Sequence, residues 1–198
     1  MLIESHGEYL DQRFYDLNLE DEKFESVLFE RCEFINCNFT NSHFASCRFV
    51  ESTLTKCNLS LINIPNSRFS NCEFIGCKLV GIDWTKGYWP RFDFYSQLSF
   101  KSCILNSSNF FALKLHETYI DDCRLHDVDF RNAELNKSVI TDSDLSNSLF
   151  MQTNLTSVDF TGTHSFTIDV RQNKLSQAKF SRLDALDLLR SLDIKLVD

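Results

Sequence analysis

The stretch FESVLFERCEFINCNFTNSHFASCRF, residues 24–49, places a phenylalanine at every fifth position. The same spacing of large apolar side chains extends from Phe14 to Trp84 and again from Phe100 to Phe160. A helix repeats its apolar face about every 3.6 residues and a flat strand about every 2.0, so neither element gives a period of five. The spacing therefore indicates an internal repeat.

Each five-residue unit carries a small residue two positions before the large one, as in CNFTN (37–41) and SDLSN (143–147). Both of these residues can be buried only if the chain turns after every unit. Four units then close a square coil, and successive coils stack at the ~4.8 Å spacing of paired strands. Residues 20 positions apart should share a column, for example Phe110, Phe130 and Phe150.

This pattern resembles the pentapeptide-repeat family, whose unit is a small residue, Asp or Asn, Leu or Phe, and two variable residues. The resemblance covers residues ~12–180. It implies an all-β fold, a right-handed quadrilateral parallel β-helix over residues 1–180, with a C-terminal helix and strand over residues 181–198.

Composition excludes several classes of function. The net charge of −8 argues against a basic face that binds nucleic acid or an anionic membrane. No apolar run approaches the ~18 residues of a membrane helix, and no signal peptide is visible at the start of the sequence. We therefore expect no direct contact with nucleic acid and no membrane insertion.

The eight cysteines all occupy the small position of the repeat, which predicts buried thiols. A disulfide framework or a zinc site would place cysteines in pairs rather than in one phase of a repeat. Unpaired thiols indicate a reducing cytoplasm. The positions are Cys32, Cys37, Cys47, Cys57, Cys72, Cys77, Cys103 and Cys123.

Catalytic chemistry has little support in the sequence. It contains no HExxH, GxSxG or P-loop motif, and its five glycines are too few for a phosphate-binding loop. His116 and His126 are ten residues apart, so a square coil puts them on opposite faces, where they cannot share a metal. We expect a non-enzymatic protein without a cofactor or metal.

The phase of the repeat shifts by one residue near 95–99, which indicates an extra residue there. Gly87 and Pro90 interrupt the pattern just before it. The favoured interpretation is a bulge or kink covered by aromatic packing. The alternative is a partner-binding loop in which Trp89 and Tyr95 are exposed anchors.

The end of the chain changes pattern. Ser165 stands where an apolar residue is expected, and leucines at helical spacing follow Ser181, a candidate N-cap. A short strand is predicted over residues 194–197. This tail either caps the last coil or forms a dimer contact. Its sequence resembles the tail of the Qnr-type and microcin-immunity branches, which implies a homodimer through Leu186, Leu189, Leu192, Ile194 and Leu196.

Acidic residues are concentrated late in the chain. Residues 117–144 contain eight acids and three bases, whereas residues 31–90 carry a net charge of +2. The simplest interpretation is a solvated acidic surface. The sharper one is a rod that presents phosphate-like charge to a DNA-binding protein. The candidate contact residues are Glu117, Asp121, Asp122, Asp127 and Asp129.

Two functions follow from the resemblance and the charge. The first is a DNA mimic that binds a type II topoisomerase, DNA gyrase or topoisomerase IV, and protects it from a quinolone or a toxin. The second is an interaction scaffold with an unrelated protein target, because a fold does not determine a function. The near-neutral middle of the chain weakens the first.

Overall fold

The structure, a computed structural model, describes residues 3–90, 98–192 and 194. Within these residues the chain winds into a four-sided coil in which all strand pairs are parallel. The predicted four-sided parallel β-helix is confirmed. Its strands are β1 Glu8–Leu10, β2 Arg13–Tyr15, β3 Lys23–Glu25, β4 Leu28–Glu30, β5 Glu33–Ile35, β6 His43–Ala45, β7 Arg48–Val50, β8 Thr53–Thr55, β9 Arg68–Ser70, β10 Cys72–Ile75, β11 Leu98–Lys101, β12 Tyr119–Asp121, β13 Val139–Thr141, β14 Asp159–Phe160 and β15 Lys179–Phe180.

The four faces differ in how much regular pairing they contain. Face 1 is the sheet β1-β4-β7-β9, and face 2 is a nine-stranded sheet that runs from β2 to β15. Face 3 is connected by isolated bridges such as Asn18↔Asn38 and Arg124↔Asp144. Face 4 begins with β3 and β6 and continues through bridges such as Asn109↔Asp129. Each face therefore forms a ladder parallel to the coil axis.

The large residues of the repeat fill the interior in stacked columns. On face 2 the rings of Phe14 and Phe34 stack at 4.8 Å, and on face 1 those of Phe49 and Phe69 do the same. Rings on adjacent faces meet edge to face, as Phe29 and Phe34 do at 5.2 Å. Offset-stacked and edge-to-face arrangements are the favourable ones for aromatic pairs. The burial of these columns drives the fold.

The corners of the coil explain the polar composition of the turns. Two residues after most central positions, the backbone adopts a φ between +48° and +74°. Asp, Asn and Gly tolerate this region best, and they occupy many of these corners. Leu61 and Ala112 adopt it as well, because the repeat requires a turn at those positions.

The small position has a hydrogen-bonding role that the spacing did not reveal. The backbone N–H of Cys32 donates to Ser52 Oγ at 3.1 Å, and that of Cys37 donates to Cys57 Sγ at 3.4 Å. Cys57 Sγ in turn lies 3.4 Å from the Phe34 carbonyl oxygen. Serine and cysteine therefore fill the same role at this position. All eight cysteines are free and buried, and burial raises the pKa of the Cys72 thiol to about 12, so that thiol is unreactive.

Cys57→Ser is expected to change the free energy of unfolding by less than about 1 kcal/mol, because the hydroxyl can make the same two contacts. Cys57→Ala leaves the Cys37 N–H without its acceptor, so we expect a larger loss of about 1–3 kcal/mol. Chemical denaturation of both variants measures the difference. Equal losses, or unfolding of the wild-type protein by a chelator, would contradict this role of the thiol.

One coil is longer than the others. Phe74 pairs with Phe100, and Asp83 forms a bridge with Asn109, so partners here lie 26 rather than 20 residues apart. The insertion is six residues, not the single residue inferred from the phase, because a period of five conceals each complete unit. Most of the predicted break at 95–99 lies outside the described residues.

The last coil departs from the repeat where Ser165 was noted. Phe166 turns inward instead, and its ring lies 5.4 Å from that of Phe180. The helix α1 spans Ala185–Leu188, and a 3-10 helix follows over Leu189–Leu192, as another does earlier over Trp84–Lys86. Ser181 is not the N-cap, because its hydroxyl accepts the Gly162 N–H at 2.9 Å and the cap position is Asp184.

Candidate partner-binding surfaces

The five acidic candidates encircle one coil rather than forming a single patch. Glu117 lies at the corner after face 1, Asp121 lies on face 2, and Asp122 lies at the corner between faces 2 and 3. Asp127 occupies the next corner and Asp129 lies on face 4. One flat partner surface cannot contact all of them together.

Most of these carboxylates also have partners within the chain. Glu117 lies 3.6 Å from Lys137 Nζ, and Asp121 accepts the Thr141 hydroxyl at 2.7 Å. Asp129 accepts both the backbone N–H and the guanidinium of Arg131, and the guanidinium lowers the pKa of this carboxyl. Such hydrogen bonds stabilise the turn after each central residue. The Asp or Asn of the repeat therefore serves the fold before any partner.

The corner between faces 2 and 3 forms a shallow acidic groove in the later coils. Asp122 and Asp142 stack there one coil apart, and Asp144 lines the same groove beside Arg124. Ser102 donates to Asp122 at 2.7 Å. Like charges on adjacent strands repel each other, so this corner keeps an unfavourable arrangement that a cationic partner would relieve. We name Asp121, Asp122, Asp142 and Asp144 the acidic corner.

Two imidazoles flank Asp144. His126 Nε2 lies 2.7 Å from one carboxylate oxygen, and His164 Nδ1 lies 3.8 Å from the other. Partial burial opposes ionisation of Asp144, but hydrogen bonds from Ser146 and His126 prevail and lower the pKa of its carboxyl to about 2. The sequence reasoning paired His126 with His116 and missed this cluster. A spacing of 20 residues between Asp144 and His164 could have indicated it.

Asp144→Asn is expected to flatten the loss of stability in acid. A carboxyl whose pKa is lower in the folded state contributes stability above about pH 3.8, and this contribution disappears as the pH falls toward 2. The free energy of unfolding, measured by urea titration between pH 5 and pH 2, should fall less steeply in the variant. An unchanged slope would mean that these hydrogen bonds do not favour the ionised form.

The aromatic candidates lie beside the long coil. The Trp89 indole N–H donates to the Trp84 carbonyl oxygen at 2.7 Å, and the ring packs against the core. This geometry agrees with the favoured interpretation, aromatic packing over a kink, and a partner contact by Trp89 stays a prediction. Tyr95 lies outside the described residues.

The C-terminal leucines are partly exposed. Leu186, Leu192 and Ile194 each expose between 41% and 52% of their surface, whereas Leu188 packs against the core. Leu189 is half-buried, and Leu196 lies outside the described residues. The tail therefore covers the last coil and still presents an apolar surface.

The described residues contain no preformed group of three or more metal-ligating side chains. His116 lies on face 1 against Asn136, and His126 lies on face 3, so the prediction that they face apart is confirmed. No helix in the described part of the chain is long and apolar enough to cross a membrane.

Comparison with known proteins gives the same picture as the fold. Structures of QnrB1, described as a plasmid-mediated fluoroquinolone resistance protein, are similar along the whole chain. One trypsin-treated variant matches with a TM-score of 0.72 and 19% identity over 99% of this chain and 100% of that one. The full-length protein matches with a TM-score of 0.63 and 18% identity over 94% of this chain and 100% of that one.

No curated protein sequence matches the chain. Two family models do match it. One describes a pentapeptide repeat region and covers residues 27–96, and the other describes pentapeptide repeats and covers residues 108–147 and 133–164. Together they span more than half of the chain, with the same units that form the coil. The protein therefore belongs to the pentapeptide-repeat family.

Proposed function

We propose that this protein is a non-catalytic rod that binds a type II topoisomerase, DNA gyrase or topoisomerase IV, and protects it from a quinolone or a toxin. The observation that carries the proposal is the similarity of its fold, from end to end, to a fluoroquinolone resistance protein. The free buried thiols suit a reducing cytoplasm as the place of action.

The acidic corner is the surface best suited to this partner. A groove that binds duplex DNA is lined with Lys and Arg, which attract carboxylates arranged at regular intervals along a rod. Asp122 and Asp142 are spaced by one coil, and Asp144 lies beside them. The acidic candidates on the other faces would stay exposed to solvent in such a complex.

A supercoiling assay with gyrase, with and without a quinolone, tests the proposal. The wild-type protein should restore supercoiling in the presence of the drug, or inhibit it alone, at micromolar concentration. Asp122→Asn combined with Asp142→Asn should weaken the effect at least tenfold. Glu8→Gln combined with Glu51→Gln removes the same charge from exposed positions elsewhere and should leave the effect unchanged. No effect of the wild-type protein on gyrase or topoisomerase IV would refute the proposal.

A scaffold with an unrelated protein target is the second candidate. It is favoured by the internal partners of Glu117, Asp121 and Asp129, which leave less free charge than a DNA mimic needs. A pull-down from bacterial lysate separates the two functions. A single partner other than a topoisomerase, retained by the wild-type protein and lost with the acidic-corner variant, would support the scaffold.

The C-terminal tail is expected to form a homodimer contact. Leu189→Glu together with Leu192→Glu should then give a monomer, because charges would replace the apolar contact. Leu183→Glu, at a leucine that is 77% exposed, is the matched control and should not change the mass. Sedimentation velocity measures the outcome, and an unchanged mass in the double variant would exclude the tail dimer.

A further inference from the structure

Face 4 carries an arrangement of charge that the proposed function does not use. At each level of this face two outward side chains flank one inward residue, and we call such a pair a rung. Three rungs are charged on both sides, and each has one acid and one base: Lys23 with Glu25, Asp129 with Arg131, and Asp169 with Arg171. On a protein of net charge −8, this face is close to neutral.

The two later charged rungs are held in place by the chain itself. Arg131 Nε and Nη2 lie 2.9 and 2.7 Å from the two oxygens of Asp129. Arg171 makes the same two contacts with Asp169 at 3.2 Å each. The side of the face that carries the carboxylate is therefore the same in both rungs, and the guanidinium lies on the other side.

Apolar side chains occupy the neighbouring rungs. Leu149 and Met151 form the rung between the two Asp–Arg rungs and are 47% and 40% exposed. Phe111, 42% exposed, lies one level below Arg131, whose guanidinium is 5.9 Å from the ring centre. A groove lined by Leu149, Met151 and Asp169 runs along this part of the face. Aromatic residues, Met and Arg are enriched at the centres of protein interfaces.

We propose that face 4 binds the same face of a second copy of this chain, with the two rods side by side and parallel. A two-fold axis parallel to the coil axis exchanges the two sides of every rung. It therefore places Asp129 against Arg131 of the partner subunit and Asp169 against Arg171 of the partner subunit. Leu149 meets Met151 of the partner subunit in the middle. Each charged rung is self-complementary under this operation.

The alternative two-fold axis is disfavoured by the same charges. An axis across the face, through the Leu149–Met151 rung, makes the rods antiparallel and keeps each side of the face on the same side. Asp129 would then lie against Asp169 of the partner subunit, and the two guanidinium groups would also meet. Like charges brought together in an interface cost several kcal/mol, so only the parallel arrangement fits.

The size of the face predicts weak association. Eight rungs from Lys23 to Asp169 at ~4.8 Å per level give a length of about 34 Å, and a five-residue side is about 16 Å wide. Each protomer would bury about 550 Å², near the lower limit for a specific interface. The dimer should therefore form in a concentration-dependent way. It is distinct from the tail contact, which joins rods at their ends.

The test uses two variants that share one substitution. Leu149→Asp with Met151→Asp puts four carboxylates around the axis and should weaken dimerisation at least tenfold. Leu149→Asp with Met151→Arg copies the neighbouring Asp–Arg rungs and should retain dimerisation within about threefold. Sedimentation equilibrium from micromolar to millimolar concentration measures both constants, and circular dichroism confirms that each variant is folded.

Small-angle scattering distinguishes the geometry. A side-by-side dimer keeps the longest dimension of the monomer, whereas an end-to-end dimer nearly doubles it. We expect the shorter dimension, and we expect it to persist in Leu192→Glu, which lies in the tail. Equal weakening of the two rung variants, no weakening of either, or a dimension close to twice that of the monomer in Leu192→Glu would each overturn the proposal.

Discussion

Replacing Phe110 by alanine is expected to lower the free energy of unfolding by about 3–5 kcal/mol. Phe110 is 1% exposed and stacks between Trp84 at 5.6 Å and Phe130 at 5.3 Å, with both neighbouring rings nearly parallel to it. A residue in the middle of a column has a ring above and below, so the surrounding backbone cannot collapse into the cavity. Each coil contacts only its neighbours, so the loss also uncouples the two halves of the rod.

Phe111→Ala is the matched control, because it removes the same ring from the next residue. Phe111 is 42% exposed and contacts Arg131, so its loss should cost less than about 1 kcal/mol. Guanidinium denaturation followed by far-ultraviolet circular dichroism measures both variants. Similar costs for the two would mean that the columns do not provide the main stabilisation.

The column around Phe110 is also where the sequence was most informative. A period of five with small and large residues in constant phase permits one closed arrangement, and the pairs Phe34↔Leu54 and Phe74↔Leu54 have the predicted register. Local spacing alone determines which residues point inward. For this reason the fold and most of the core could be predicted before any coordinates.

The exceptions share one physical cause, which is that phase gives position only within a unit. The insertion near Trp89 changes the phase by one residue while it lengthens the coil by six. Phe166 replaces Ser165 in the core because the chain leaves the repeat there. The helical leucines form only one α-helical turn before the 3-10 segment, since their contacts with the last coil are not encoded in spacing.

The candidate surfaces were less predictable than the core. Acid counts along the chain suggested a patch, but consecutive residues of a coil point in four directions. The acidic corner instead collects residues 20 apart, Asp122 with Asp142, and residues 18 apart, His126 with Asp144. Neighbours on a solenoid surface are separated by one coil, so a count taken in windows of 20 residues would have found them.

The small position of the repeat leads to the second large effect. Cys103→Phe is expected to cost about 3 kcal/mol or more, because a ring would be forced into a column built for thiols and hydroxyls. Cys103 is 1% exposed, its backbone N–H lies 3.3 Å from Cys123 Sγ, and its own sulfur lies 3.4 Å from the Cys77 nitrogen. A ring at this position would displace both neighbours and break the N–H···S ladder.

Cys103→Ser is the control, because serine occupies the equivalent position at Ser143, the next step of the same ladder, where its hydroxyl accepts the Cys123 N–H at 3.0 Å. Serine should cost less than about 1 kcal/mol. Thermal and chemical unfolding of the two variants give the comparison. The phenylalanine variant should unfold at a clearly lower temperature, since the adjacent coils lie only ~4.8 Å away and cannot separate without losing their backbone hydrogen bonds. A phenylalanine variant as stable as the serine variant would show that the position excludes large side chains for a reason other than space.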